Sequence, residues 1–151
     1  GIVLSQVASI TGLEPYTVQN WVKRGFLPPP DHKRYNLNQL CRIININMLK
    51  RTLLMEQIVS LIGYINGSLA DTSDDTIDDS KLYFMFVKLA ASAPSLRDPN
   101  EADASIEAVL QDYMEPIPGA KERVAKVLKV MITAWVAARL HESANKLVEQ
   151  L

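Results

Sequence analysis

The chain has 151 residues, of which 48% are hydrophobic and 22% charged, and its 17 acidic and 16 basic side chains leave a net charge of −1. This length is enough for one domain or two small ones to fold without disulfides or metals, and the single cysteine excludes an internal disulfide. The longest uncharged apolar stretch, residues 130–138, is far shorter than the roughly 20 residues that cross a bilayer, and no secretion signal is recognisable, so we expect a cytoplasmic protein without a membrane partner.

The charges are distributed unevenly along the chain. Residues 1–60 carry seven bases and three acids and are therefore at +4, residues 61–115 are at −8, and residues 116–151 are at +3. The neutral total is thus a cancellation between parts of opposite sign. This distribution favours an N-terminal part that faces a polyanion, followed by a part with another role.

Two short helices are predicted at the start of the chain. The first begins near Ser5 and ends at Gly12, and the second begins with Pro15 in its first turn and is closed by Gly25. Two helices joined by a turn with glycine have the outline of a helix-turn-helix unit. Helical spacing assigns eight apolar side chains of this region to the core: Val7, Ile10, Val18, Trp21, Val22, Phe26, Leu27 and Leu40.

A proline-rich segment follows, which we call the wing (residues 28–35). Three consecutive prolines exclude a helix, so the wing is predicted to be an extended hairpin or loop on the surface. Asn36 is then a suitable N-cap for a third helix, Thr52 marks a break, and a fourth helix ends at Gly67.

The sequence therefore divides into a head (residues 1–66), a polar and acidic linker (residues 67–80) and a tail (residues 81–151). In the tail we predict helices at 81–91 with a cap at Ser80, at about 103–113, and from near Gly119 to the end of the chain. The last of these is roughly 45 Å long, with residues 130–138 buried on all sides. The predicted fold class is all-α, with a minor β hairpin allowed in the wing.

The head carries an ordered set of motifs that resembles a known family. The segments LSQVASITGLEPYTVQNWVKRGFLPP, KRYNLNQL and LLMEQIVSLI, within residues 4–62, resemble the DNA-binding head of the MerR family of bacterial transcription regulators. The tail does not share this resemblance. The whole chain is similar to a small bacterial family of unknown function that joins a MerR-like head to an all-helical tail.

The resemblance implies that the second helix lies in the major groove of DNA. Its exposed positions would be Tyr16, Thr17, Gln19, Asn20 and Lys23. Amide side chains can pair with adenine, and hydroxyl groups reach phosphates or base edges. MerR heads commonly have arginine where this chain has Thr17 or Gln19, and an aromatic pair where it has Asn20 and Trp21, so we expect a different base preference.

In the wing, the resemblance implies that Lys33, Arg34 and Tyr35 contact phosphates. A basic fork beside a hydroxyl group suits two phosphate oxygens. A solvated charged surface is the ordinary explanation for isolated bases, but the position of Lys33 and Arg34 in the wing favours contact with DNA.

Catalytic and metal sites are poorly supported by the sequence. Asp71, Ser73, Asp75 and Asp79 have the spacing of a calcium loop, but Thr76 stands where the turn needs glycine and Leu82 where the bidentate glutamate belongs. A solvated acidic linker that repels DNA is the simpler interpretation. Cys41 has no CxxC partner, and His32 and His141 are the only histidines. We expect no enzyme activity and no cofactor.

The leading hypothesis is a sequence-specific DNA-binding transcriptional regulator. Its partners would be double-stranded DNA and a second copy of the chain, because one small head supplies few phosphate contacts. A small-molecule effector in the tail stays open. Two alternatives remain: a protein-interaction module with a degenerate helix-turn-helix, whose acidic linker masks the wing, and an architectural DNA binder similar to an excisionase.

Overall fold

The computed structural model describes residues 1–67, 75–92 and 96–151, and this part of the chain is mostly helical with one two-stranded sheet. The all-α prediction is therefore confirmed. The elements in chain order are β1 (Ile2–Val3), α1 (Leu4–Thr11), α2 (Pro15–Lys23), β2 (Arg34–Tyr35), α3 (Leu37–Leu49), α4 (Met55–Asn66), α5 (Asp79–Ser92), a short 3-10 helix (Pro99–Ala102), α6 (Asp103–Val109) and α7 (Ala120–Glu149).

Local chemistry explains the bounds of α1 and α2. Gly12 takes the left-handed conformation with φ of 75°, which ends α1, and its N–H donates to the carbonyl of Ala8. Pro15 is the first residue of α2, where its missing N–H costs nothing. Both predictions are confirmed.

The predicted core of the head is largely confirmed, with one exception. Four of the eight side chains are buried and three are half-buried: Val7, Val18, Trp21 and Leu27, then Val22, Phe26 and Leu40. Ile10 is 58% exposed, so its assignment to the core was wrong. The inner side of α1 is formed by Leu4, Val7, Ala8 and Thr11, and Ile10 lies outside that arc.

The wing forms a tight hairpin, as predicted. The N–H of Asp31 donates to the carbonyl of Arg34 at 3.0 Å, and the N–H of Arg34 donates back at 2.9 Å. His32 and Lys33 at the tip both have positive φ, which is the pattern of a type I′ turn. Strand β1 was not predicted from the sequence, and it pairs antiparallel with β2 so that Ile2 lies opposite Tyr35.

The wing is tied to the first turn of α3. Asn36 caps this helix as predicted, because its side chain accepts a hydrogen bond from the N–H of Gln39 at 2.8 Å, and the Gln39 side chain accepts from the N–H of Asn36. The amide nitrogen of the buried Gln39 side chain also donates to the carbonyls of Pro28 and Pro29. One side chain therefore caps α3 and holds the proline segment.

Head and tail pack against each other. Helix α5 contacts α3, and α7 contacts α3, α4, α5 and α6, so that one hydrophobic core extends through both parts. The bounds 1–66, 67–80 and 81–151 stay a prediction about sequence organisation. The structure adds that the two helical parts share one interior.

Two acidic residues of the predicted linker are buried, which corrects the expectation of a solvated acidic segment. Arg42 of α3 is fully buried, and its Nε donates to Oδ1 of Asp79 at 2.9 Å. Oδ2 of Asp75 lies 3.6 Å from Nη2 of Arg42. Asp71 and Ser73, the other positions of the calcium-like spacing, lie outside the described residues.

Arg42 therefore does not belong to the outward charge of the head. Its guanidinium faces Asp79 and Asp75, whose side chains are also buried. We call these three residues the buried ion cluster. It lies where α3, the segment before α5 and α5 itself meet, so it joins the head to the tail.

The long helix α7 begins after Gly119, as predicted, and has 30 residues. The prediction that residues 130–138 are buried on all sides was wrong. Met131, Ile132, Ala134 and Ala138 are buried, but Val130 and Ala137 are exposed, because only one side of α7 faces the body of the protein. The helix predicted at 103–113 is shorter and ends at Val109. The cap predicted at Ser80 was wrong, because α5 begins at Asp79 and Ser80 lies in its first turn.

Candidate nucleic-acid interface

Helix α2 presents a polar face to solvent. Tyr16 is 70% exposed, and Gln19, Asn20 and Lys23 are exposed as well, while Thr17 is half-buried. The opposite side of the helix is anchored by buried side chains. The five positions predicted from the sequence therefore lie on the outer part of one short helix, with two amides at its centre.

Val18 and Trp21 anchor α2 in the core. The Trp21 ring also contacts a basic side chain that the sequence did not indicate as part of the site. Nζ of Lys50, at the C-terminal end of α3, lies 5.1 Å from the centroid of the Trp21 ring. Cation–π contacts of this kind hold a charged group in place. Lys50 is exposed, so its charge lies at the surface near α2.

Arg24 is a second base that sequence reasoning left out of the site. Its guanidinium lies 4.6 Å from the centroid of the Phe26 ring, and the residue is exposed. The position directly after Lys23, with an aromatic residue two places further on, was a usable indication. Lys50 had none, because its approach to Trp21 depends on the packing of α3 against the head.

The wing tip carries two exposed bases close to an acid. Lys33 and Arg34 are exposed, and Nη1 of Arg34 donates to the carbonyl of Gly1 at 3.2 Å. Nδ1 of His32 lies 2.7 Å from Oδ1 of Asp31, with both side chains in solvent. The wing therefore offers a mixed surface in which the cations outnumber the acid.

Tyr35 belongs to the core and not to the outer surface of the wing. It is only 3% exposed, because β2 pairs with β1 and turns the ring inward. Burial raises the pKa of its hydroxyl group. This corrects the expectation that Tyr35 contacts phosphate alongside Lys33 and Arg34.

The outer surfaces of α2 and the wing combine two kinds of chemistry. Gln19 and Asn20 supply donors and acceptors that can read base edges, while Lys23, Lys33 and Arg34 supply cations that attract phosphates. Such a combination can position a helix on duplex DNA and distinguish one base sequence from another. Nothing in this arrangement provides a nucleophile with an adjacent base.

Within residues 1–67, 75–92 and 96–151, no group of three or more His, Cys, Asp or Glu side chains is placed to hold a metal ion. None of the helices in these segments is long and apolar enough to cross a membrane. A groove of about 590 Å³ lies between α6 and α7, with Ile106, Leu110 and Ala125 among its lining residues. Binding of an effector in the tail stays a prediction.

Comparisons with known proteins connect these features to a wider group. The family model described as "Domain of unknown function (DUF1836)" matches residues 3–86. A Bacillus subtilis (strain 168) protein named "Uncharacterized protein YkrK" is 20% identical over 162 residues, which cover 99% of this chain and 70% of the relative. No solved structure matches the chain. The matched range ends inside α5, so it includes α2, the wing and the buried ion cluster.

Proposed function

The chain belongs to the family described as domain of unknown function DUF1836, and we propose that it is a sequence-specific DNA-binding transcriptional regulator of the cytoplasm with a MerR-like head. In this proposal α2 enters the major groove and the wing contacts the phosphate backbone. The protein acts as a homodimer on a two-fold site. No catalytic step is involved.

One observation carries the proposal: a short helix that is anchored on one side exposes two amides and a hydroxyl group, and a basic hairpin follows it in the chain. Val18 and Trp21 fix the helix, and Gln19, Asn20 and Tyr16 are left for a partner. Exposed amides together with the exposed cations Lys23, Lys33 and Arg34 fit a polyanion with readable edges better than they fit an apolar protein surface.

The buried ion cluster weakens the alternative in which the acidic linker masks the wing. It requires the acidic linker to lie over Lys33 and Arg34, but Asp75 and Asp79 are buried next to Arg42. Their charges are directed into the protein and are unavailable for the wing. The architectural alternative shares the interface with the regulator and differs only in the outcome, since it predicts DNA bending without an effect on transcription.

The experiment is selection of bound sequences from random duplex DNA by the full chain, followed by titration of the selected site at several salt concentrations. Arg34→Ala is expected to weaken binding to all sequences alike and to lower the slope of log K against log salt by about one. Gln19→Ala is expected to change the selected sequence. Lys146→Ala, which removes an exposed base near the end of α7, is the matched control and is expected to leave both unchanged.

Each result has a definite meaning. A two-fold symmetric selected motif supports dimeric operator binding. Binding that is independent of salt, or equal loss of affinity in Arg34→Ala and Lys146→Ala, would refute the proposed interface. Circular dichroism of Arg34→Ala checks that loss of its hydrogen bond to Gly1 does not unfold the head.

A further inference from the structure

Helix α7 has two apolar faces, and only one of them is used by the body of the protein. Up to Ala138, the inner face is buried against α4, α5 and α6. A second set of uncharged side chains follows a regular spacing of three and four on the other side of the helix: Val130, Thr133, Ala137, Leu140, Ala144 and Leu147. We call this set the outer stripe.

The outer stripe becomes strongly exposed where α7 extends past the body. Leu140 is 66% exposed and Leu147 is 64% exposed, and Val148 widens the apolar surface beside them. The charged side chains of the same segment lie on the opposite side of the helix: Arg139, Glu142, Lys146 and Glu149. The last turns are thus amphipathic, with the apolar side facing solvent.

The first half of the outer stripe forms the floor of a groove of about 540 Å³. The groove is walled by Thr52, Leu53 and Pro99, Lys126 and Lys129 also line it, and small side chains of α7 lie in its floor, among them Thr133, Ala134 and Ala137. The half of the stripe in the groove has small or β-branched side chains, whereas the projecting half has a leucine on each side of Ala144, so the two halves differ in shape. The groove and the projecting end are continuous on one helix face.

We infer that the occupant of this face is a second copy of the chain, whose α7 runs antiparallel to the first. A two-fold axis level with Glu142 places Ala137 opposite Leu147 of the partner subunit and Leu140 opposite Ala144 of the partner subunit. Every layer then pairs a large side chain with a small one, which is how facing positions interdigitate. The contact is the same in both directions, as a two-fold interface requires.

A parallel pairing fits this surface less well. It would place alanine opposite alanine at 137 and 144, and leucine opposite leucine at 140 and 147, so that gaps alternate with crowded layers. It would also leave the small-residue groove beside Leu53 and Pro99 unfilled. In the antiparallel register, the projecting end of each copy fills the groove of the other.

The size of the face sets the expected affinity. The outer stripe covers residues 130–147, about 27 Å of helix, and its six side chains are far fewer than the roughly 20–30 residues that each side of a standard specific interface contributes. We therefore expect a dimer that dissociates in the micromolar range. This inference supplies the interface for the homodimer of the proposed function, and it does not depend on DNA binding.

The first test is sedimentation equilibrium of the full chain from about 1 to 100 μM. Leu147→Glu puts a charge into the stripe and is expected to raise the dimer dissociation constant at least about tenfold. Asn145→Glu, two positions away and off the stripe, is the matched control and is expected to leave the constant unchanged. Because both sites are exposed, neither variant is expected to alter the thermal unfolding of the monomer.

The second test examines orientation. When an Ala137→Cys chain is mixed with a Leu147→Cys chain, oxidation is expected to yield a disulfide between the two different chains. Cys41 is buried and does not compete. Cross-linking of each variant with itself but not with the other would overturn the antiparallel register.

A chain that stays monomeric up to 100 μM overturns the inference and leaves the outer stripe to a different protein. The DNA titrations distinguish this failure from failure of the proposed function, because salt-dependent binding by a monomer supports the head alone. A dimer that binds no DNA supports this inference and refutes the function.

Discussion

The buried ion cluster makes a quantitative prediction about the joint between head and tail. Arg42→Met removes the guanidinium and leaves Asp75 and Asp79 in a site where their side chains are only 4% and 6% exposed. Breaking a buried ion pair by removing one partner costs about 3–5 kcal/mol. For a chain of this size, that loss lowers Tm by roughly 6–20 °C.

The pKa of Asp79 defines the sign of its pH dependence. Burial raises this pKa above its usual value, and the attraction of Arg42 offsets the rise only in part. The folded protein therefore keeps the proton on Asp79 up to a higher pH than the unfolded chain does. As a consequence, the contribution of Asp79 to the free energy of unfolding falls as pH rises from about 4 through the raised pKa of the folded state. Asp79→Asn removes this dependence.

The assay is urea unfolding followed by circular dichroism, at several pH values, with Arg42→Met, Asp79→Asn and the wild type. Arg51→Met is the control, because Arg51 is exposed and its loss is expected to change the free energy of unfolding by no more than about 0.5 kcal/mol. A loss below about 1 kcal/mol in Arg42→Met would refute the view that the cluster joins α3 to α5. A wild-type stability that rises relative to Asp79→Asn with increasing pH would instead refute the raised pKa of Asp79.

Two further predictions concern α3. Asn36→Ala removes the acceptor for the N–H of Gln39 and is expected to lower the free energy of unfolding by about 1 kcal/mol in urea titrations, whereas unchanged stability would show that the cap is dispensable. The thiol of Cys41 is buried, and its pKa is raised by that burial and secondarily by the charge of Asp79. We therefore expect iodoacetamide to modify Cys41 at least about 100-fold more slowly in the folded protein than in urea. Equal rates would contradict the buried position.

The features that the sequence predicted well are those that depend on near neighbours. Gly12 and Gly119 take positive φ at helix ends, and Asn36 caps α3 through a residue three places away. These preferences act within one turn of chain, so they can be recognised without knowledge of the tertiary packing. The inner face of α2 followed from helical spacing, whereas its exposed positions were predicted from the resemblance to MerR heads.

What the sequence could not provide depends on contacts between distant residues. Arg42 and Asp79 are 37 positions apart, so nothing local distinguished this arginine from a surface base or this aspartate from a solvated linker residue. Tyr35 turned inward because it pairs with Ile2, and a two-residue strand has no alternation to detect. The bases at Lys50 and Arg24 joined the candidate interface through aromatic contacts, one of them across the fold.

The dual role of Gln39 has a thermal consequence. Since its side chain pairs with the first turn of α3 and also holds the carbonyls of Pro28 and Pro29, fraying of that turn also releases the proline segment at the base of the hairpin. Until that event, the hairpin backbone is already ordered, and a partner that docks on it avoids an entropic penalty of about 1–2 kcal/mol for each residue it would otherwise freeze. Warming is therefore expected to abolish recognition by the hairpin at a temperature below that at which the shared interior melts.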